Sequence, residues 1–259
     1  MPANAPGPRI LLANDDGINS PGLAVLEEIA RTMSDDVWVV APDSEQSGAA
    51  HSLTINEPLR LRTIGDRRFA VRGTPTDCVM LAVHHLMRGQ KKPDLLMSGI
   101  NMGANLGEDV TYSGTVAAAI EGCLLGIRSI AFSQLMKLNG PVNWDTPRKF
   151  APEIIRKVLG VDWPPGVLIN VNFPDLPAAA ITGVFTTKQG QRDAADLVID
   201  ERADVRGVPY FWIGFRRNPF KPLEDTDFAV IDQGGVTVSP LRVDLSDPDM
   251  REKIRPLFS

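Results

Sequence analysis

The sequence predicts an α/β fold, in which helices flank a mainly parallel β-sheet. Short apolar runs that fit buried strands alternate with segments in which apolar residues recur at helical spacing. The first run, residues 10–13, precedes a helical pattern and then a second apolar run at residues 37–41. Strand, helix and strand within about forty residues form the unit of a parallel sheet. With 259 residues, 43% of them hydrophobic, the chain can form one large domain or one domain with an appendage.

The remaining elements follow from the same patterns and from cap and turn residues. Ser20 is a good N-cap for the first helix, and Pro21 suits its first position. Further strands are predicted at residues 59–62, 68–71, 94–97, 129–132, 166–173, 181–187, 228–231 and 236–238. Further helices are predicted at residues 74–87, 116–125, 147–159 and 248–257.

The chain divides into two parts by its pattern. Residues 1–135 carry the regular units and are expected to form the core that holds the functional site. Residues 136–259 are expected to complete this core and to add a C-terminal extension, a protruding hairpin at residues 188–227 and a terminal helix at residues 248–257. The aromatic side chains of the hairpin need a covering surface, so we expect them to pack on another subunit: Phe211, Trp212, Phe215 and Phe220.

Charge and composition exclude several classes of partner. The net charge of −5 argues against binding to nucleic acid polymers or to an anionic membrane surface. The chain has no apolar run of membrane-spanning length, and its first residues lack the pattern of a signal peptide, so we expect a cytoplasmic protein. Cys78 and Cys123 lie in apolar helical patterns and are expected to be buried free thiols.

Polar residues follow three of the predicted strands. Asp15 and Asp16 come directly after the first strand, Ser47 lies on the loop after the second, and Asn101 follows the strand at residues 94–97. The carboxyl ends of parallel strands meet at one edge of a sheet, so these side chains are expected to lie in one crevice. Their oxygen atoms suit Mg²⁺, Mn²⁺ or Ca²⁺ rather than Zn²⁺. The alternative for the first motif is a solvated Asn-Asp-Asp-Gly turn.

A glycine-rich segment adds a possible phosphate cradle. Residues 99–107 and the tripeptide Ser113-Gly114-Thr115 precede a helix, whose first amides lack partners and favour an anion. Gly114 is expected to let a phosphate approach closely, at a place separate from the metal ligands on other loops. The alternative is a loop shaped only for tight packing. The chain has no Gly-x-Gly-x-x-Gly after its first strand and no Walker motif, which disfavours a dinucleotide or P-loop site.

Several motifs in the same order resemble the survival protein SurE family. They are Ile10 to Gly17, Ala41 to Gly48, Gly73 to Cys78, Ser98 to Asn101, Tyr112 to Ala119, Leu168 to Pro174, Asp227 to Val230 and Val236 to Leu245. The resemblance implies a Rossmann-like fold whose C-terminal extension is exchanged between subunits of a homodimer or homotetramer. It also implies a metal-dependent nucleotidase acting on nucleoside 5'- and 3'-monophosphates, with some exopolyphosphatase activity. A non-catalytic sensor of nucleotide and metal is the alternative from another class.

The resemblance also assigns roles to individual residues. It implies one divalent metal ion per subunit, held by Asp15, Asp16, Ser47 and Asn101. The residues expected to contact substrate or phosphate are Ser47, Gly48, Asn101, Asn105, Ser113, Gly114 and Thr115. Catalytic roles are expected for Asp15, Asn105 and Ser113, with Asp15 orienting or deprotonating a water, although direct attack by an aspartate stays open. One departure is Ala50, where many relatives carry a second serine. His51 is expected to be solvated or structural, with a catalytic role as the alternative.

Overall fold

A mainly parallel sheet forms the centre of the structure. The computed structural model describes residues 7–136, 140–191, 197–215 and 222–258. Within these ranges the central sheet has nine strands: β1 (Ile10–Ala13), β2 (Val37–Pro42), β3 (Arg60–Gly65), β4 (Arg68–Arg72), β5 (Leu95–Met102), β6 (Arg128–Gln134), β7 (Val167–Phe173), β8 (Val184–Thr186) and β11 (Val236–Arg242). Their order across the sheet is β3-β4-β2-β1-β5-β6-β7-β11-β8. Only the β3–β4 and β7–β11 pairs of this sheet are antiparallel, so the predicted α/β class is confirmed.

Helices cover both faces of this sheet. They are α1 (Pro21–Arg31), α2 (Pro75–Leu81) with a π-helical continuation (Ala82–Leu86), α3 (Asp109–Tyr112), α4 (Gly114–Leu124), α5 (Asp145–Leu159), α6 (Asp227–Asp232) and α7 (Pro248–Ile254). Strand β1 shows how the two faces are sorted. Ile10 and Leu12 pack into the core that includes side chains of α1 and α5, whereas Leu11 and Ala13 face α2 and α4. Both faces of β1 are buried, as expected for a central parallel strand.

Local cap chemistry fixes where the first helices begin. The Ser20 hydroxyl accepts a hydrogen bond from the Leu23 amide and Pro21 opens α1, as predicted. Thr74 and Asp77 form a capping box at the start of α2, each side chain bonding to the other residue's backbone amide. Cys78 and Cys123 are buried free thiols, which confirms that expectation.

Three predicted elements differ from the structure. Residues 228–231 form helix α6 rather than a strand, because the Thr226 side chain caps a helix that buries Phe228, Ala229 and Ile231. A run of four apolar residues does not separate the two possibilities by periodicity. The strand predicted at residues 181–187 covers only β8. Conversely, β5 continues to Met102, since Asn101 pairs with Ser133 of β6, so Asn101 lies within the strand and not after it.

The C-terminal extension contains a second, separate sheet. Strands β9 (Leu197–Ala203) and β10 (Pro209–Phe215) pair in antiparallel fashion, which confirms a hairpin within the described part of residues 188–227. Phe211 and Trp212 are 58% and 61% exposed, whereas Phe220 lies outside the described residues. Helix α7 has no buried residue. Among the described helices, none is both long and apolar enough to cross a membrane.

Candidate functional site

The turn after β1 places two carboxylates at the carboxyl edge of the sheet. Asn14 is fully buried, and its side-chain amide donates to the Gly17 carbonyl at 2.9 Å and to the Ser20 hydroxyl at 2.8 Å. Gly17 adopts a φ of +96°, a conformation that other residues rarely take. This local network ties the end of β1 to the start of α1, so Asp15 and Asp16 are held by the backbone between two fixed points.

Asp15 is buried and is anchored from two directions. Its backbone carbonyl accepts a hydrogen bond from the Gln46 amide at 2.8 Å, which brings the loop after β2 over the end of β1. Its carboxylate accepts a short hydrogen bond from the Thr115 hydroxyl and a further bond from the Thr115 amide. Burial raises the pKa of Asp15, and these hydrogen bonds only partly oppose that effect. The carboxylate is therefore held in place by hydrogen bonds, but its ionisation is unfavourable in the absence of a cation.

Asp16 is half-buried and faces the end of β5. Its carboxylate accepts a hydrogen bond from the Met102 amide at 3.1 Å, next to Asn101. Burial, followed by repulsion from Asp15, raises the pKa of Asp16 from 3.8 to about 7, and the charge of Glu45 adds to this effect. Neither aspartate forms an ion pair with any Lys, Arg or His among the residues that the structure describes. When the two carboxylates ionise, no such partner compensates their negative charge.

The two neutral ligand candidates present free oxygen lone pairs. The Ser47 hydroxyl donates to the Glu45 carboxylate at 2.9 Å, so its hydrogen is already engaged. The side-chain amide of Asn101 donates to the Gly103 carbonyl at 2.9 Å, which leaves its carbonyl oxygen available. Both side chains are therefore acceptors toward anything that enters between them and the aspartates.

This donor set fits a hard divalent cation. Asp15, Asp16, Ser47 and Asn101 offer only oxygen atoms, and a cation would neutralise the repulsion that raises the pKa of Asp16. Across the described ranges, no three His, Cys, Asp or Glu side chains gather as a metal-binding group. A metal at this place would accordingly depend on serine and asparagine as its neutral ligands, as the sequence predicted.

The start of α4 points directly at Asp15. Ser113 is the N-cap, and its hydroxyl accepts a hydrogen bond from the Val116 amide at 3.1 Å. A Cβ atom added to Gly114 would lie 2.8 Å from the Asp15 Cβ and 3.0 Å from the Pro75 Cγ. Gly114 therefore packs against a proposed metal ligand, which disfavours separable phosphate and metal sites, although their separation stays a prediction. Thr115 is fully buried and supports Asp15, so its contact with phosphate stays a prediction.

The side chains that hold Asn105 were not predicted from the sequence. The backbone amide of Asn105 donates to the side-chain oxygen of Asn172 at 2.8 Å. The backbone carbonyl of Asn105 accepts from the side-chain amides of Asn170 and Asn172, at 2.8 and 3.1 Å. The Asn105 side chain donates to the Ser133 hydroxyl at 2.8 Å. The signal in the sequence was the presence of Asn170 and Asn172 in the apolar strand β7, where both are fully buried. Buried amides require specific hydrogen-bond partners, so such a pair indicates a polar contact within the core.

Two other residues on the loop after β2 lie at the edge of this region. Gly48 is exposed and has a φ of +77°, and its contact with substrate stays a prediction. His51 forms a 3.0 Å contact between its Nε2 atom and the Glu121 carboxylate of α4. This contact ties the loop to α4 and favours the structural interpretation of His51.

Comparisons with known proteins identify the family of this chain. The family model of survival protein SurE matches residues 10–196. A protein named 5'-nucleotidase SurE from Paramagnetospirillum magneticum is 54% identical over 250 residues, covering 96% of this chain and 95% of the relative. Another of the same name from Rhodospirillum rubrum is 56% identical over 242 residues, covering 92% of each chain.

A solved structure shows the same fold. The crystal structure of the SurE protein from Aquifex aeolicus superposes with a TM-score of 0.84 at 41% sequence identity, covering 96% of this chain and 99% of that one. Sequence and structure thus agree over nearly the whole length. The chain belongs to the survival protein SurE family.

Proposed function

We propose that this chain is a divalent-metal-dependent phosphomonoesterase that releases phosphate from nucleoside 5'- and 3'-monophosphates, with short-chain polyphosphate as a further substrate. The observation that carries the proposal is the meeting of the Asp15 carboxylate, which lies beside that of Asp16, with the N-terminus of α4 at Gly114. Relatives that share more than half of their residues with this chain are named 5'-nucleotidase, which supports the substrate class.

The proposed metal ligands are Asp15, Asp16, Ser47 and Asn101, which would hold one Mg²⁺, Mn²⁺ or Ca²⁺ ion per chain. When bound, such an ion polarises a phosphoryl oxygen and lowers the pKa of a water ligand. The fixed position of Asp15 is important here, because Thr115 holds its Oδ1 atom while the rest of the carboxylate faces Gly114.

The protein's own groups divide the remaining work. Asp15 orients the attacking water and accepts its proton in the proposed mechanism. The amides at the start of α4, the Ser113 hydroxyl and the Asn105 side chain stabilise the charge on the phosphoryl oxygens. The positive end of the α4 dipole favours a dianionic monoester over a monoanionic diester.

A panel of substrates tests this proposal. Phosphate release from AMP and GMP should depend on Mg²⁺ or Mn²⁺, whereas bis-(p-nitrophenyl) phosphate should be cleaved poorly. Binding of AMP without any phosphate release, over the same range of metals, would instead identify a nucleotide and metal sensor. Efficient cleavage of the diester would contradict the monoesterase proposal.

The same proposal extends to assembly as a homodimer or homotetramer with exchange of the C-terminal extension. Three observations support it. The β9–β10 hairpin exposes Phe211 and Trp212, and α7 buries none of its residues. An apolar cavity of about 360 Å³ runs beside α4, between Ile120 and Leu124 on the helix and Leu241 and Val243 near the end of β11. The exposed α7 of a second copy would suit this cavity, because α7 presents the exposed apolar side chains of Met250 and Ile254.

A further inference from the structure

The loop that carries Asn105 is held by side chains from the second half of the chain. At Asn105, both backbone polar groups are bonded by side chains of β7. Two residues later, the Gly107 amide donates to the Asp227 carboxylate at 2.9 Å and its carbonyl accepts from the Gln189 side chain at 3.0 Å. Side chains therefore replace the backbone ladder that fixes a regular strand or helix.

Asn172 makes the most specific of these contacts. Its side-chain oxygen accepts from the Asn105 amide at 2.8 Å, and its side-chain nitrogen donates to the carbonyl of the same residue at 3.1 Å. The two bonds run in opposite senses to one backbone residue. An amide supplies both a donor and an acceptor on a short side chain, and an aspartate or a leucine would supply only one or neither. This pairing explains why asparagine stands at a fully buried position in β7.

The hydrogen bonds to the Asn105 backbone also orient its side chain. With its backbone fixed by Asn172, the Asn105 side chain reaches the Ser133 hydroxyl of β6, and only 7% of the residue is exposed. A catalytic group is effective only when it is held close to its productive geometry, and a displacement of about 1 Å can reduce a rate ~100-fold. Holding such a group requires the supporting contacts to be rigid.

We propose that Asn172 is a positioning residue that acts through Asn105 to stabilise the phosphoryl group during hydrolysis. This inference rests on the proposed function, in which Asn105 contacts phosphate. It assigns a role in the reaction to a strand outside the metal ligand loops. Asn172 itself touches Asn105 and not the substrate, so its effect should depend on Asn105 being present.

Asn172→Ala removes both bonds, and Asn172→Asp keeps the acceptor while removing the donor. Thr237→Val is a matched control: Thr237 pairs with Asn172 on the neighbouring strand β11, is fully buried, and its hydroxyl has no hydrogen-bond partner among the described residues. Asn172→Ala should lower kcat/KM for AMP ~10- to 100-fold. Asn172→Asp should lower it as well, because its carboxylate keeps the bond from the Asn105 amide but lies against the Asn105 carbonyl without a hydrogen to donate. Thr237→Val should leave kcat/KM unchanged.

Two further readouts separate positioning from a general loss of structure. In the double variant with Asn105→Ala, the loss of kcat/KM should equal that of Asn105→Ala alone to within about twofold, because coupled residues are not additive. Amide hydrogen exchange of residues 103–108 should accelerate in Asn172→Ala and not in Thr237→Val, while exchange in β1 and α1 stays unchanged.

The outcomes are distinct. Additive losses in the double variant, or loop exchange that rises without any change in kcat/KM, would overturn the positioning role. Unchanged exchange and unchanged kinetics in both Asn172 variants would also overturn it. A wild-type protein that releases no phosphate from any nucleotide would overturn the proposed function and, with it, a role in hydrolysis; the exchange data would then show independently whether Asn172 holds the loop.

Discussion

Replacement of Asp16 by asparagine should stabilise the metal-free protein at pH 8 and abolish most of its stabilisation by metal. Asparagine keeps a side-chain oxygen that can accept from the Met102 amide, so the local hydrogen bond survives. The substitution removes the charge that burial and Asp15 make unfavourable. A residue proposed as a metal ligand thus lowers stability when the metal is absent.

The magnitude follows from the pKa of Asp16. A rise from 3.8 to about 7 corresponds to about 4 kcal/mol at ~1.36 kcal/mol per pH unit, which is an upper limit because Asp15 shares the effect. The raised pKa means that the protonated carboxyl favours the folded state. Its contribution is complete below pH 3.8 and is lost as the pH rises to about 7. At roughly 2–4 °C per kcal/mol for a protein of this size, the corresponding upper limit on the Tm shift at pH 8 is about 8–16 °C.

Thermal unfolding in EDTA at pH 5 and pH 8 measures this difference. The Tm of Asp16→Asn should exceed that of the wild type at pH 8, and the gap should narrow at pH 5. At a metal concentration of about 100 Kd the wild type should gain ~2.7 kcal/mol, and the variant much less. Asp43→Asn, at an exposed carboxylate after β2, is the control and should change neither result. A Tm of Asp16→Asn below that of the wild type in EDTA at pH 8 would contradict an unfavourable charge at Asp16, and an equal gain from metal would contradict its role as a ligand.

Three further predictions concern neighbouring parts of the site and the extension. Ser47→Ala removes a neutral ligand and should weaken metal binding less than Asp16→Asn does, with activity recovering at high metal; loss that no metal concentration restores would contradict a ligand role. Gly114→Val should weaken both metal and AMP binding in calorimetry, because the new side chain collides with Asp15, and an unaffected metal affinity would show that Asp15 can move aside. Deleting residues 193–222, with a short glycine linker, should reduce the number of chains per particle found by light scattering, whereas an unchanged number of chains would exclude the hairpin from assembly.

Sequence patterns were sufficient where the determining contacts are local. The turn after β1 was predictable because Ser20, Pro21 and Gly17 are cap and turn residues within a few positions of the carboxylates. The sheet edge that collects Asp15, Asp16 and Asn101 followed from parallel topology alone. Helix α6 was wrongly predicted as a strand, because its apolar run is too short to show a helical period. The signal for a helix is the capping residue Thr226.

The remaining features depend on contacts between residues that are distant in the chain. Gly114 meets Asp15 because α4 packs on the sheet over β5 and β6, a contact that local sequence patterns do not reveal. Asn172 and Asn105 are 67 positions apart. They meet because β6 pairs with both β5, which precedes Asn105, and β7, which contains Asn172. Their partnership could be suspected from two asparagines in an apolar strand, but the partner could not be identified without the fold.

The central claim is that hydrolysis depends on one metal ion held at Asp15 and Asp16. The most direct test measures phosphate release from AMP against free Mn²⁺ or Mg²⁺, and compares its midpoint with the metal Kd from calorimetry on the same preparation. We expect one ion bound per chain, no phosphate release in EDTA, and a midpoint of the metal dependence that coincides with the metal Kd. Full activity of the EDTA-treated protein, or strong metal binding that leaves the rate unchanged, would contradict it.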